Sequence, residues 1–300
     1  MDNQLYGYSA INHRQRLEWP GGAQLAVWVG LNIEHYEIDK PSTSIHTNTA
    51  TLVPDPLNYG WRDYAPRVGI WRTMEILDKH GIRASVLLNS DVCRHYPEII
   101  SEGNKRNWVW LAHGKNNSIL QADMSREEER RYLTEVVDTI RDSTGKQPLG
   151  WLGPALSETF NTPQLLSEQG ITYTCDWCSD DQPFPVRLKS AKKMISVPYS
   201  IEVNDVPLFV GKSLSGPDFC QILKDQFDVL YQEGARSGRV MAVALHPFVT
   251  GLPFRSKYLD EALGYITNHD KVWLTTSDEI ANWYYEHYYD AAVAAGTERP

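Results

Sequence analysis

Residues 26–32 (AVWVGLN) and 240–245 (VMAVAL) are nearly unbroken apolar runs of strand length. A strand with one wet face alternates apolar and polar residues. An unbroken run belongs in a sheet covered on both faces, the habit of parallel sheets wrapped by helices. Six further short apolar segments read as strands: 84–88, 108–111, 150–152, 171–174, 195–197 and 272–274. Between them lie helical patterns. Ile70, Trp71, Met74 and Leu77 recur at helical spacing and stop at Gly81. Ser125-Arg126-Glu127-Glu128 is a capping box, followed by Leu133, Val136, Val137 and Ile140 on one face. Thr162-Pro163, Ser215-Gly216-Pro217-Asp218 and Thr276-Ser277-Asp278-Glu279 open three more helices, and 259–266 reads as another. This βα alternation predicts an α/β fold with seven or eight mostly parallel strands, which fits a complete or incomplete (β/α) barrel.

No Gly/Ser linker, repeat or charge block divides the 300 residues, so one domain is expected over 1–300. Residues 1–24 read as an N-terminal arm, 33–65 as a long aromatic-rich loop, and 290–300 as a disordered tail. The chain carries 38 acidic and 29 basic residues, a net charge of −9. That balance disfavours nucleic acid or an anionic membrane as partner. No apolar stretch approaches the roughly 20 residues of a spanning helix. Met1-Asp2-Asn3-Gln4 lacks the basic flank and apolar run of a secretory signal. With four cysteines only, a reducing cytoplasm is the expected compartment. Cys175-Asp176-Trp177-Cys178 reads as a redox pair, half a zinc site, or two buried thiols. With no second CxxC or HxxxH to complete a site, buried thiols are expected.

Polar residues at the C-terminal ends of barrel strands line the mouth. Asn32, Glu34 and His35 follow the first strand, and His113-Gly114-Lys115-Asn116-Asn117 the third. Asp176, Asp180 and Asp181 follow the fifth, and His246 follows the run ending at Leu245. Each has an ordinary reading: a carbonyl-bonded histidine, a turn residue, a solvated acid. Together they are what a hydrolytic site uses, with a carboxylate or metal to activate water and a histidine to protonate the leaving nitrogen. Tyr36, Tyr59, Trp61, Tyr64 and Trp71 could wall a pocket for a flat ligand or simply pack. Trp283, Tyr284, Tyr285, Tyr288 and Tyr289 crowd one helix too densely for a single buried stripe, and read as a subunit contact.

Several segments together resemble the polysaccharide deacetylase (NodB-homology) superfamily, in particular its intracellular allantoinase-like and cyclic imide hydrolase branch. The carriers are Gly30-Leu31-Asn32-Ile33-Glu34, Trp61-Arg62-Asp63-Tyr64, Arg67-Val68-Gly69-Ile70-Trp71, Ala112-His113-Gly114, Gly150-Trp151-Leu152-Gly153-Pro154, Asp176 through Phe184, and Leu245-His246-Pro247. The resemblance implies a distorted or incomplete (β/α) barrel that hydrolyses a carbon–nitrogen bond other than a peptide bond. It implies Glu34, His113, His246 and Asp176 as catalytic residues. Arg67, Arg62, Trp61, Tyr64, Trp151 and Asp180 would contact substrate. Metal-dependent relatives bind zinc or another divalent ion with an Asp and an HxxxH pair. Here Glu34, His113 and Asn117 occupy those places, a poor zinc set. The cofactor expectation is therefore none, or a weakly bound divalent metal, zinc first.

Without a metal, Glu34 would be the general base, with a pKa raised towards neutrality by burial. His246 would be the general acid, oriented by one of Asp176, Asp180 or Asp181. Arg67 or Arg62 would anchor a carbonyl-rich substrate, unless each sits in a structural ion pair. The first functional expectation is opening of a small cyclic amide such as a ureide or imide. The second is N-deacetylation of acetylated sugars in peptidoglycan or a chitin-like polymer. The third is a non-catalytic binding protein with a degenerate site. A homo-oligomer is expected from the aromatic C-terminal helix and from family habit.

Overall fold

A computed structural model describes residues 3–41 and 46–297. Among them nine strands form one sheet: β1 (Leu25–Ile33), β2 (Ala84–Leu88), β3 (Val109–Ala112), β4 (Gly150–Trp151), β5 (Tyr173–Thr174), β6 (Phe184–Val186), β7 (Met194–Ser196), β8 (Arg239–Leu245) and β9 (Val272–Leu274). The order is β6-β7-β5-β4-β3-β2-β1-β8, with β9 paired to the start of β1. Every pair is parallel except β6–β7. The sheet curls into the distorted (β/α) barrel expected from the sequence. The addition is β6, whose Pro185 suits an edge hairpin.

The barrel wall does not close through strand pairing. On the free edge of β8, Val240 N–H donates to Asp181 O at 2.8 Å and Ala244 N–H donates to Val203 O at 3.1 Å. Irregular segments after β5 and β7 thus take the place of a neighbouring strand.

Two hydrophobic layers explain the unbroken apolar runs. Successive strand residues face opposite sides. Ala26 and Trp28, Leu87, Leu111, Tyr173, Val197, Ala242 and Ala244 pack inside the barrel. Their odd or even neighbours Val27, Val29, Leu31, Val86, Trp110, Met241 and Val243 pack outward against the helices. The helix Ser277–His287 stoppers the N-terminal end of the barrel, with Ile280, Ala281 and Tyr284 in the inner layer. Tyr173 Oη lies 2.7 Å from both Ser277 Oγ and Asp278 Oδ1. The aromatic residues of this helix also make contacts within the chain. Trp283 Nε1 donates to Glu18 O at 2.8 Å and Tyr285 Oη donates to Thr172 O at 2.6 Å, so these rings tie the helix to its own arm and barrel.

Two boundaries also differ from expectation. The aromatic-rich loop contains a helix, Pro56–Tyr64, which runs into a wider turn, Ala65–Gly69. Asp55 caps it by accepting from Asn58 N–H at 3.1 Å. A Cβ on Gly69 would sit 2.1 Å from Pro247 O, so only glycine allows this turn to press against the loop after β8. The expected tail is helical over Tyr289–Thr297, and its last residues, 298–300, lie outside the described residues.

Candidate active site

The alternation that fills the barrel continues past the strand ends. Glu34 lies two residues beyond Asn32, Asn89 two beyond Leu87, His113 two beyond Leu111, and His246 two beyond Ala244. Each inward row therefore ends in a polar side chain at the C-terminal mouth. Glu34 Oε1 is 3.4 Å from His113 Nε2 and 3.6 Å from His246 Nε2. The side chains are 5%, 3% and 10% exposed, respectively. The carboxylate thus stands between two imidazoles in a nearly sealed chamber.

The two rings are held differently. His246 Nδ1 donates to Asp205 Oδ1 at 2.7 Å, while Asp205 Oδ2 accepts from His246 N–H at 2.7 Å and from the Thr250 hydroxyl at 2.9 Å. Burial pulls the imidazolium down, but Asp205 and Glu34 outweigh it and raise His246 to about 10. His246 is therefore charged at neutral pH and points an Nε2–H into the chamber. His113 Nδ1 instead meets Leu152 O at 2.7 Å. A carbonyl only accepts, so the proton sits on Nδ1, and in the neutral ring Nε2 carries the lone pair. That Nε2 is buried and makes no hydrogen bond.

Burial pushes the Glu34 carboxyl up, yet the charged His246 outweighs it and holds the carboxyl well below the usual carboxylate range. This corrects the expectation of a carboxyl raised towards neutrality: Glu34 is firmly ionised and a weak base. Its Oε2 accepts from Tyr36 Oη at 2.6 Å. The Arg62 guanidinium lies 3.9 Å over the Tyr36 ring. Asn32 Nδ2 donates to Tyr199 Oη at 2.9 Å and to Leu245 O at 3.2 Å, forming the chamber floor.

The orienting carboxylate of His246 was misplaced in the sequence reading. Asp205 takes the role assigned to Asp176, Asp180 or Asp181. Asp180 forms a forked pair with Arg14 at 2.8 and 2.6 Å, tying the N-terminal arm to the seam beside β8. Asp176 accepts from Gly153 N–H at 2.6 Å and from the Thr174 hydroxyl at 2.8 Å, on the far side of the Leu152–Gly153 peptide from His113. Beside it Glu158 is pushed well above the usual range by burial and by Asp176. Neither Asp205 nor Glu158 follows a strand or a recognisable motif, and no sequence signal marked them.

Among the residues expected to touch substrate, Arg62 lines the cleft outside the chamber, with Tyr36, Tyr59, Asp63, Pro66 and Tyr96. The others lie elsewhere. Arg67 is 74% exposed and pairs with Asp63 at 2.5 Å. Trp61 Nε1 donates to Phe248 O at 2.9 Å, and Tyr64 Oη accepts from Arg72 at 2.9 Å. Trp151 is fully buried in the outer layer, because its parity turns it away from the barrel axis. The thiols of Cys175 and Cys178 are free, and burial pushes Cys178 up to about 12, which suits inert thiols rather than a redox pair.

A resident metal does not fit this donor set. Asn117 Oδ1 accepts from Asn89 Nδ2 at 3.0 Å, and its Nδ2 lies 3.4 Å from Tyr36 Oη, so its only liganding atom is engaged. Among the described residues no group of three His, Cys, Asp or Glu is placed to hold an ion.

Residues 60–174 match the polysaccharide deacetylase family model. His113 and Asn117 fall inside the matched segment, whereas Glu34, Asp205 and His246 fall outside it. The superfamily hydrolyses carbon–nitrogen bonds other than peptide bonds, the class expected from the sequence. Over the whole fold this chain superposes on the crystal structure of Puue allantoinase with a TM-score of 0.86, at 25% identity, covering 96% of this chain and 99% of that one. It is 26% identical to a provisionally named polysaccharide deacetylase of Schizosaccharomyces pombe, over 91% of this chain and 94% of the relative. It is 25% identical to a peptidoglycan deacetylase of Helicobacter pylori, over 76% and 87%.

Proposed function

We propose that the chamber opens a small cyclic amide, of the ureide or imide kind. The carrying observation is enclosure. Glu34, His113 and His246 are almost sealed beneath the Pro56–Gly69 segment. A glycan strand needs an open groove, whereas a small ring can be engulfed. The cleft at the mouth holds about 10 Å³, room for one water, so entry of a ring requires the Tyr59–Pro66 wall to yield.

In this reading the roles follow from the hydrogen bonds. The lone pair on His113 Nε2 takes a proton from water, whose oxygen attacks the ring carbonyl. The Glu34 carboxylate stabilises the positive charge that develops on His113. The charged His246 then delivers its Nε2 proton to the leaving nitrogen as the carbon–nitrogen bond breaks. Solvent exchange returns the collected proton to His246. No step runs through a metal. The four free thiols suit a reducing compartment.

Turnover of a panel containing allantoin, hydantoin, succinimide and maleimide tests this reading. Ring opening of at least one, abolished in Glu34→Gln, is expected. A folded protein inactive on the whole panel sinks it. The second reading, removal of acetyl groups from acetylated sugars, is supported by the family match and by the named relatives. Acetate release from chitin or peptidoglycan fragments, without ring opening, would select it.

A further inference from the structure

The two active-site histidines are each oriented through Nδ1, one directly by a carboxylate and the other by a peptide. That peptide is itself gripped. Its carbonyl, Leu152 O, accepts from His113 Nδ1 at 2.7 Å, and its N–H, on Gly153, donates to Asp176 Oδ1 at 2.6 Å. The two groups point in opposite directions across one planar unit, so His113, the peptide and Asp176 form a continuous chain across the ends of β3, β4 and β5. Leu152 N–H is anchored on Ala112 O at 3.0 Å and Cys175 N–H on Trp151 O at 2.8 Å, which fixes the spacing of the three strand ends. A Cβ on Gly153 would meet Ser157 O at 2.2 Å, so the turn that brings Glu158 to Asp176 depends on that glycine.

We propose that the Asp176–Glu158 carboxyl pair is a positioning unit for His113, acting through the Leu152–Gly153 peptide. Asp176 is the ionised member, because it receives the Gly153 N–H and the Thr174 hydroxyl at 2.8 Å. Glu158 is half-buried beside it, and burial and the neighbouring Asp176 push its carboxyl well above the usual range. A carboxylate on the N–H end of an amide polarises its carbonyl, which strengthens the Nδ1–H···O bond and keeps the lone pair on Nε2. The division of labour follows: a direct carboxylate makes His246 an acid, and a carboxylate relayed through a neutral peptide keeps His113 available as a base.

The inference rests on His113 being the base, and its test does not need a substrate. In protein labelled with ¹⁵N-histidine, the His113 ring of the parent should show the Nδ1–H tautomer at pH 8. Asp176→Asn should shift that population measurably towards Nε2–H. With an active substrate, the same variant should lose about 10- to 100-fold in kcat with KM within about twofold. Should Asp176→Asn not fold, Thr174→Val removes the hydroxyl's bonds to Asp176 and Glu158 but leaves both carboxyls in place, and should move the same resonance in the same direction by a smaller step. Glu158→Gln keeps a donor to Asp176 and should retain the parent tautomer. An unchanged His113 tautomer in every folded variant that perturbs Asp176 overturns the proposal, even if ring-opening activity is found. A tautomer shift without any ring-opening activity would instead uphold the relay and count against the proposed reaction.

Discussion

Replacing Asp205 with asparagine isolates the charge that makes His246 an acid. Buried histidine alone would titrate below its ordinary 6.5, yet His246 is raised to about 10. At about 1.4 kcal/mol per pH unit, that is a preference on the order of 5 kcal/mol for the imidazolium. The contact is shared with the depressed Glu34, so it is counted once. Asp205 contributes more of the rise than Glu34, so Asp205→Asn should remove at least half. The alkaline limb of kcat/KM, which reports loss of the general acid, should then fall from near 10 to about 8 or below. At pH 9 the variant should run roughly tenfold below its own neutral rate, while the parent is little changed. Stability follows the same sign. The pKa is higher folded than unfolded, so the stabilisation is complete below pH 6.5 and is lost as pH rises through about 10. Urea midpoints from pH 7 to 10 should therefore fall more steeply for the parent than for the variant. An alkaline limb that stays near 10 in folded Asp205→Asn refutes the reasoning.

Three further outcomes are expected. Glu34→Gln should lower kcat by about 100-fold or more, since no charge then stabilises protonated His113; a rate within threefold of the parent would contradict the assigned role. Dialysis against a strong chelator should leave the rate within about twofold, because Glu34, His113 and the engaged amide of Asn117 make a poor zinc set, whereas parallel loss of activity and of one equivalent of zinc would reverse that conclusion. At pH 8 a thiol alkylating reagent should modify Cys178 only slowly in the folded protein, since burial holds its thiol up to about 12, and the mass shift measured before and after unfolding checks this.

The strand order of the barrel was not legible, but its layering was. Unbroken apolar runs at 26–32 and 240–245 require both faces of a strand to be dry, and the inner and outer layers supply that. The helix starts read at Ser125, Ser215 and Thr276 are all formed, each with a capping box, because such a box is a local bond between neighbours and needs no tertiary context. The helix Pro56–Tyr64 escaped because its aromatic residues obscure the helical period, although Asp55-Pro56 carries a cap and an N1 proline.

The site divides along the same line. Glu34, His113 and His246 were legible because each continues an inward row by two residues beyond a readable strand, so parity alone aims them at the axis. Trp151 fails by the same rule: one residue of phase separates the chamber from the helix-covered face. Asp205 comes from a segment with no period at all, and it reaches His246 only because the seam beside β8 is closed by irregular chain, which carries Val203 and Asp205 against the strand edge. A regular strand in that place would pair its backbone along β8 and put side chains in alternation. The unclosed wall is therefore what lets a carboxylate reach both the main chain and the ring of His246, and the feature that makes the barrel imperfect also makes one of its two histidines an acid.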